Sequence, residues 1–395
     1  MRLRTHAGFR LFWTASTVSD FGTPVTTLAI QVLVVTTLSG SAAEVGLVNA
    51  ARWLPYLLFG VLVGALADRT RRKPLLVGTD LGRAALLCAV PLLAWPGLLS
   101  LPTLAALVAV FGLLSLVNDA AHQSFLPRLL PREAFTRANA RLSQSSAAAD
   151  TAGPAVAGGL IGWLGAPTAV LVDAGTYLTS GLLIARVRLD DPPAPARAPL
   201  GREMREGLAW VYGHRLLRPL SLCMHGWFVF YATLGAVYVP YGLLHLGFSA
   251  FGLGLTLALA GVGGLAGAGL SERAGRAGLT IPLAWVLQAA GIAIIALTPV
   301  GSLLIAGLGN LVNGFGLGLS SPLELAYRQT ITPDRLQART NATMRSINPA
   351  AVVVGAPLGG LLADSLGYRP ALWLCAGGVA AAGLALLASP FRTVR

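Results

Sequence analysis

Charged side chains are scarce in this chain of 395 residues. Asp, Glu, Lys and Arg together make up 11% of it, less than half of the roughly 25% found in ordinary soluble domains. Hydrophobic residues make up 55%, and the mean hydropathy is +0.69. This composition argues against a water-soluble enzyme. It favours a polytopic helical membrane protein, because about 20 mostly apolar residues are enough to cross a bilayer.

Cysteine and histidine are also scarce. The three cysteines, Cys88, Cys223 and Cys375, lie far apart inside apolar runs, a spacing that fits neither a disulfide framework nor a metal site. The five histidines are dispersed, and the sequence contains neither GxxxxGK[ST] nor HExxH, the motifs of ATP binding and of zinc proteases. We therefore expect no enzymatic activity, no metal, no cofactor and no direct use of ATP.

Long apolar runs fill most of the chain. Windows between charged or Gly/Pro-rich breaks predict twelve transmembrane helices, at 9–37, 43–67, 74–95, 98–124, 138–163, 166–187, 219–246, 250–270, 279–298, 301–324, 340–364 and 369–391. With loops assigned alternately to the two sides, every basic residue except Arg52, Arg83 and Arg369 falls on the side of the N-terminus. The positive-inside rule then places both termini in the cytoplasm. The net charge of +13 thus indicates topology rather than a nucleic-acid partner.

The two halves of the chain are related by an internal repeat. Residues recur at an offset of 202, as in Arg137/Arg339, Asn139/Asn341 and Gly165/Gly367, which predicts a duplication. We expect an all-α membrane protein of two pseudo-symmetric six-helix bundles, with a substrate site between them near the membrane midplane. The predicted divisions are an N-terminal bundle (1–190), a cytoplasmic linker with an amphipathic helix (191–218) and a C-terminal bundle (219–395).

The loop between the second and third spans carries an acid followed by several bases. It reads GALADRTRRKPLL, and it resembles the cytoplasmic signature of the major facilitator superfamily through Gly64, Asp68, Arg69, Arg72 and Lys73. A decayed copy in the second half contains Glu272 and Arg273. The resemblance implies a major facilitator fold with a latch at the cytoplasmic helix ends. We assign three further residues near those ends to the latch: Asp80, Arg83 and Asp119.

Small residues recur in the fifth and eleventh spans. GPAVAGG contains Gly153, Pro154 and Gly158, and GAPLGG contains Gly355 and Pro357. The first segment is similar to the helix-5 signature of exporters in this superfamily, which implies proton-linked export and bent helices. Ordinary close packing of helices through small residues is the alternative. The arginine that the superfamily usually carries in the middle of the fourth span is absent, which weakens the proton-linked interpretation.

A polar stripe runs along the first span. Ser16, Asp20, Thr23, Thr27 and Gln31 follow at spacings of 4, 3, 4 and 4, so they share one helical face. Apolar surroundings penalise such residues, which therefore indicate a cavity. Asp20 falls near mid-membrane and is similar to the coupling acid of some proton-linked exporters. The alternative is a structural pair with Arg52, itself a cavity candidate.

Two more spans carry candidate cavity residues. The stripe of the fifth span makes Asp150 a second proton-coupling candidate, with a helix-to-helix hydrogen bond as its alternative. The aromatic stripe of the seventh span could stack hydrophobic or cationic cargo, or belong to the core. The remaining cavity candidates are Ser143, Ser146, Asp173, Trp227, Tyr231, Tyr238, Arg345 and Asn348.

We interpret the chain as a secondary transporter of a bacterial cytoplasmic membrane. The resemblance favours proton-coupled efflux of a small hydrophobic molecule, as in drug/proton antiporters and siderophore or macrolide exporters. A facilitator or importer of a metabolite, a lipid flippase and a non-transporting receptor remain alternatives. The expected partners are a small-molecule substrate, protons and membrane lipid, and we expect a monomer because the fused halves can complete one cavity.

Overall fold

The computed structural model describes residues 6–189 and 200–394, and this part of the chain is almost entirely helical. Its thirteen α-helices are α1 (Ala7–Thr36), α2 (Ala42–Arg69), α3 (Arg72–Ala94), α4 (Leu101–Leu129), α5 (Phe135–Leu164), α6 (Ala166–Ala185), α7 (Leu200–Gly213), α8 (Leu217–Pro240), α9 (Ala250–Ser271), α10 (Ala277–Ala296), α11 (Leu303–Ile331), α12 (Asp334–Leu366) and α13 (Tyr368–Ala388). A π-helical turn, Tyr241–His245, continues α8.

The twelve long helices lie where the twelve spans are predicted. In the described part of the chain, every helix except α2, α5 and α7 is both long and apolar enough to cross a membrane, which makes ten candidate spans. Helices α2 and α5 pack among them, α2 against α4 and α12 and α5 against α1 and α9. The all-α, polytopic architecture is thereby confirmed.

Helix α7 is the short helix of the predicted linker. It packs against α12 and α8: Glu206 pairs with Arg339, and the hydroxyl of Tyr212 lies 2.8 Å from Nε2 of His225. These contacts attach the linker helix to the second bundle.

The predicted duplication is visible in the backbone. Helices α5 and α12 are each followed by a glycine, Gly165 and Gly367, with φ of 79° and 92°. The next helix starts at the residue after the glycine in both cases. Positive φ in this range favours glycine. The two glycines are 202 residues apart, so the same sharp turn recurs once in each half.

Side-chain burial follows the environment expected for a membrane protein. Aromatic residues such as Phe12, Phe125 and Trp285 are fully buried inside the bundles, whereas Trp163 and Leu304 are more than 80% exposed. Large exposed apolar side chains of this kind are tolerated where the surrounding solvent is lipid. The folded chain therefore presents an apolar outer surface and buries aromatic and polar groups.

Helices α9 and α11 approach each other through glycines on both sides. A Cβ added to Gly263 would lie 2.0 Å from the carbonyl oxygen of Leu311, and one on Gly314 would lie 1.9 Å from that of Ala260. Gly267 and Gly318, one turn further along each helix, make equivalent contacts. This is the GxxxG type of packing, in which missing side chains let two backbones touch.

Gly263→Ala is predicted to destabilise the protein, whereas Gly269→Ala on the same helix is not. The new methyl group at position 263 must push α9 from α11, which costs about 1–3 kcal/mol by the usual cost of overpacking. A Cβ at position 269 meets nothing within 4 Å. Thermal unfolding of the purified variants in detergent measures the difference, and equal melting temperatures would contradict the packing described here.

Candidate functional site

A central cavity of about 370 Å³ lies between the two bundles. Its volume is within the range of small-molecule sites. Helices α1, α5, α8, α9 and α11 contribute its wall, which is largely apolar. The polar or aromatic residues that line it are Thr23, Thr27, Gln31, Asp150, Tyr231, Tyr238, Asn310 and Asn313. The site therefore lies where a duplicated bundle is expected to bind a substrate.

The polar stripe of α1 divides between two cavities. Thr23, Thr27 and Gln31 line the central cavity, whereas Ser16 and Asp20 line a second cavity of about 180 Å³. We call this second cavity the polar chamber. Its other walls are residues of the first bundle: Ser19, Asp80, Arg83, Asn118, Asp119, His122, Ser180 and Ile184. Thr23 lines both cavities, so α1 is the wall between them.

Hydrogen bonds connect most polar groups of the chamber to one another. Asp80 pairs with Arg83 and also accepts from Ser180 at 2.7 Å and Asn118 at 3.1 Å. His122 Nε2 lies 2.9 Å from the Ser16 hydroxyl. Asp80 and Arg83 are buried within the first bundle, and all these partners belong to it.

This position corrects the assignment of Asp80, Arg83 and Asp119 to the latch. Asp119 accepts from the Tyr56 hydroxyl at 2.7 Å and, like the other two, lines the polar chamber. The three residues face the interior of the first bundle: Asp80 accepts from Ser180 of α6, and Asp119 accepts from Tyr56 of α2.

Asp20 makes no hydrogen bond or ion pair with any side chain in the described part of the structure. The proposed alternative, a pair with Arg52, is not formed: Arg52 donates to Thr27 at 2.8 Å and lies 5.6 Å from the centre of the Phe111 ring. Asp20 lies on α1 and Asp150 on α5, and these two helices pack against each other. The two acids thus stand on neighbouring helices, although each lines a different cavity.

The aromatic residues of α8 separate into cavity and core. Tyr231 and Tyr238 line the cavity, and the Tyr238 hydroxyl lies 2.7 Å from both Asn310 Nδ2 and Thr256 Oγ1. Trp227 is 6% exposed, stacks on Tyr231 and donates to Gln288 at 3.0 Å. The prediction that Trp227 lines the cavity is therefore wrong, because its indole is used for packing within the second bundle.

Asp173 also belongs to the core. It is fully buried, and its carboxylate accepts hydrogen bonds from Thr26 of α1 and from Thr176. Its assignment to the substrate cavity is therefore wrong, since both carboxylate oxygens face the contact between α1 and α6.

Several other candidates lie away from the central cavity. Ser143 is exposed, Ser146 is half-buried, and Asn348 has a buried side-chain oxygen without a hydrogen-bond partner in the described part. None of these three belongs to the wall given above. Arg52 contributes to a separate small pocket beside Thr27. Ser16 belongs to the polar chamber.

Only part of the predicted latch can be located. Arg72 is buried and donates to the Thr70 carbonyl at 3.1 Å. Glu272 and Arg273 are exposed at the end of α9, and Lys73 is half-buried. Gly64 and the side chains of Asp68, Arg69 and Arg345 lie outside what the structure describes.

The small-residue motifs form helix crossings between the two bundles. A Cβ on Gly158 of α5 would lie 2.4 Å from the Ala250 carbonyl oxygen of α9, and one on Gly360 of α12 would lie 2.2 Å from that of Ala42 on α2. Gly254 and Gly46 make the reciprocal contacts, with the carbonyls of Pro154 and Ala356. These segments therefore pack closely through their small residues, as the packing alternative predicts. Both crossings lie at the membrane face opposite to the one at which α1 begins.

The remaining motif glycines pack on helices of their own bundle. A Cβ on Gly153 would lie 2.6 Å from Pro24, and one on Gly355 would lie 2.3 Å from the Val229 carbonyl oxygen. Pro357 lies beside Gly46 in the crossing between α12 and α2.

Sequence reasoning missed the amides of α11 and one acid. Asn310 and Asn313 line the central cavity. Their spacing of three residues in an apolar span places both on one helical face, and this pattern could have indicated a cavity. Glu324 accepts from Trp285 Nε1 at 3.0 Å inside the second bundle. In the sequence, Glu324 marks only the end of the tenth predicted span.

Known proteins match the chain over nearly its whole length. A family model described as transmembrane secretion effector matches residues 3–395. The chain is 28% identical to the multidrug efflux pump Tap of Mycolicibacterium fortuitum, across 90% of this chain and 89% of that protein. It is 24% identical to macrolide efflux protein A of Streptococcus pyogenes, across 91% and 90%.

Solved structures show the same fold. A bacterial homologue of the iron transporter ferroportin, in its inward-facing state, has a TM-score of 0.77 at 15% identity and covers 100% of both chains. The nucleoside transporter NupG has a TM-score of 0.74 at 13% identity, with 98% of this chain and 99% of that one covered. The predicted fold class is confirmed by these matches.

Asp173→Ala and Asp150→Ala are predicted to differ in stability. Removal of the Asp173 carboxylate leaves the buried Thr26 hydroxyl without its acceptor, which costs about 1–3 kcal/mol. Asp150 is exposed to the cavity and makes no hydrogen bond in the described part, so its loss should not lower the stability. Thermal unfolding in detergent distinguishes the two. A larger loss for Asp150→Ala would contradict these placements.

Proposed function

This chain belongs to the transmembrane secretion effector family of the major facilitator superfamily, and we propose that it exports small hydrophobic molecules in exchange for protons. The observation that carries the proposal is the central cavity: it lies between two duplicated bundles, has a mostly apolar wall and contains one exposed carboxylate, Asp150. The efflux functions named for the relatives in Mycolicibacterium and Streptococcus support the same direction of transport.

The face at which α1 begins is the cytoplasmic face in this proposal, in line with the positive-inside rule. The two glycine crossings then lie at the outer face and close the cavity there. On the cytoplasmic side of Asp150, Ser143 and Gln144 of α5 are exposed. This arrangement supports an inward-open state of alternating access, in which cargo enters the cavity from the cytoplasm.

The cavity wall favours flat apolar cargo that carries a basic nitrogen. The ring of Tyr231 offers a stacking surface, and the hydroxyl of Tyr238 is already engaged by Asn310 and Thr256, so Tyr238 mainly presents its ring. Gln31 lines the same cavity, and its side-chain amide is a hydrogen-bonding group available in the cavity wall. Asp150 supplies charge attraction and Tyr231 a cation–π partner.

In this proposal, cargo and proton oppose each other at Asp20 and Asp150, which lie on the neighbouring helices α1 and α5. A cationic cargo beside Asp150 is attracted by both carboxylates, so a proton on Asp20 weakens cargo binding by removing one of the two negative charges. Release of cargo at the outer side then favours binding of a proton from that side to Asp20. Binding linkage is reciprocal. If a bound proton lowers the affinity for cargo, bound cargo must lower the affinity for the proton by the same factor.

Dissipation of a pH gradient in inverted membrane vesicles tests this assignment. Cationic, neutral and anionic hydrophobic compounds are added to vesicles containing wild type, Asp20→Asn or Asp150→Asn. We expect Asp20→Asn to abolish dissipation while preserving counterflow of labelled cargo. Asp150→Asn should raise the KM for cations by about tenfold, the equivalent of 1.4 kcal/mol, and leave neutral cargo unaffected.

Asp334→Asn is the matched control, because Asp334 is an exposed acid at the start of α12 and lines neither cavity. Uphill transport at normal rates by both Asp20→Asn and Asp150→Asn would overturn the proton roles. Counterflow that is insensitive to pH in wild type would instead identify a facilitator, and lipid scrambling by the pure protein would identify a flippase.

A further inference from the structure

A carboxylate of the second bundle binds the start of a helix of the first. Asp364, in the last turn of α12, accepts hydrogen bonds from two backbone amides of α2. Its Oδ1 lies 3.1 Å from the Ala42 nitrogen, and its Oδ2 lies 3.0 Å from the Ala43 nitrogen. The residue is exposed at the outer face, one turn beyond Gly360, which packs on the same end of α2.

The two amides are the ones that α2 cannot satisfy by itself. Ser41 and Glu44 form a capping box: the Ser41 hydroxyl accepts from the Glu44 amide at 3.3 Å, and the Glu44 carboxylate accepts from the Ser41 amide at 2.7 Å. A capping box leaves the first two helical amides without a partner. Asp364 supplies that partner and places a negative charge at the positive end of the helix.

The equivalent crossing, between α5 and α9, shows no such contact among the described residues. Helix α9 begins with its own cap, since the Ser249 hydroxyl accepts from the Gly252 amide at 3.1 Å. The position 202 residues before Asp364 is Gly162, which has no side chain to offer. The α2–α12 and α5–α9 crossings therefore share the same glycine contacts. They differ in charge, because Asp364 stands at the first crossing and Gly162 at the equivalent position of the second.

We propose that Asp364 is a second, outer latch, separate from the predicted cytoplasmic one, that holds the outer face closed between transport steps. The inference rests on the proposed alternating access, because the outward-open state must separate α2 from α12 and so break both hydrogen bonds. Asp364 touches no cargo, and it acts on the equilibrium between the two states. Opening releases two amides to water and moves a charge from the helix end.

The expected size of the effect follows from helix capping. Loss of a capping carboxylate corresponds to about a three- to tenfold change in an equilibrium constant. Asp364→Asn keeps the shape of the side chain and removes its charge, so the outer face should open three- to tenfold more often. Asp364→Glu keeps the charge but displaces it, and an intermediate effect is expected.

Labelling of the cavity from outside measures this opening. Gly235 lines the central cavity, and a Cβ there meets nothing within 4 Å, so Gly235→Cys introduces a reporter without a clash. Right-side-out vesicles are treated with a membrane-impermeant maleimide, and peptide mass spectrometry separates position 235 from the three native cysteines. When closure is fast relative to labelling, the rate is proportional to the open population.

We expect Asp364→Asn to raise the outside labelling rate three- to tenfold and to leave the rate in inverted vesicles no higher than in wild type. General loosening of the fold would raise both rates. Ser365→Ala is the matched control, because the Ser365 hydroxyl bonds only to its own helix, at Leu361 and Leu362. An outside rate unchanged by Asp364→Asn, or raised equally by Ser365→Ala, overturns the latch.

The two proposals fail separately in this experiment. Labelling requires neither cargo nor a proton gradient, so an accelerated outside rate in a protein that exports nothing would keep the latch and reject the export function. Normal proton-coupled export by wild type, with a labelling rate from outside that Asp364→Asn leaves unchanged, would keep the export function and reject the latch.

Discussion

Direct contact between helix backbones is the constraint on which the rest of the structure depends. In lipid, apolar side chains gain little by leaving the solvent, so helices associate through close packing of small residues. Gly158 and Gly254 join α5 to α9, and Gly46 and Gly360 join α2 to α12, at distances that no Cβ tolerates. The two crossings close one end of the space between the bundles, and the central cavity lies between the bundles beyond them.

Polar groups in the bundles fall into two classes according to whether the protein satisfies them. Asp80 and Asp173 each accept several hydrogen bonds and lie buried between helices, which makes them part of the scaffold. Asp20 and Asp150 make none in the described residues and line open space. An acid without a protein partner inside a membrane is costly, and the proposed exchange gives these two acids a partner that binds and leaves, either a proton or a cationic cargo.

The sequence was sufficient for the spans, the duplication and the polar face of α1, because each depends on periodicity or on residue spacing. It was insufficient for the rotation of each helix about its own axis. Asp150 and Asp173 look alike as single acids in apolar spans, yet one faces the cavity and the other faces Thr26. Trp227 and Tyr231 are one turn apart, and the packing of Trp285 decides which of them is core. Contacts between distant helices set these orientations, and no local pattern records them.

The duplication preserved shape and changed chemistry. Gly165 and Gly367 repeat the same turn, and the reciprocal glycines repeat the same crossings, because backbone approach tolerates no substitute. At the same offset of 202, Arg83 corresponds to Trp285, His122 to Glu324 and Asp150 to Val352. Ionisable groups of the chamber and cavity therefore concentrate in the first bundle, and aromatic and amide groups of the cavity in the second. A cargo held between the bundles touches both, so motion of one bundle relative to the other necessarily changes the surroundings of the acids. In the proposed exchange, this geometric dependence links cargo to proton without any direct contact between them.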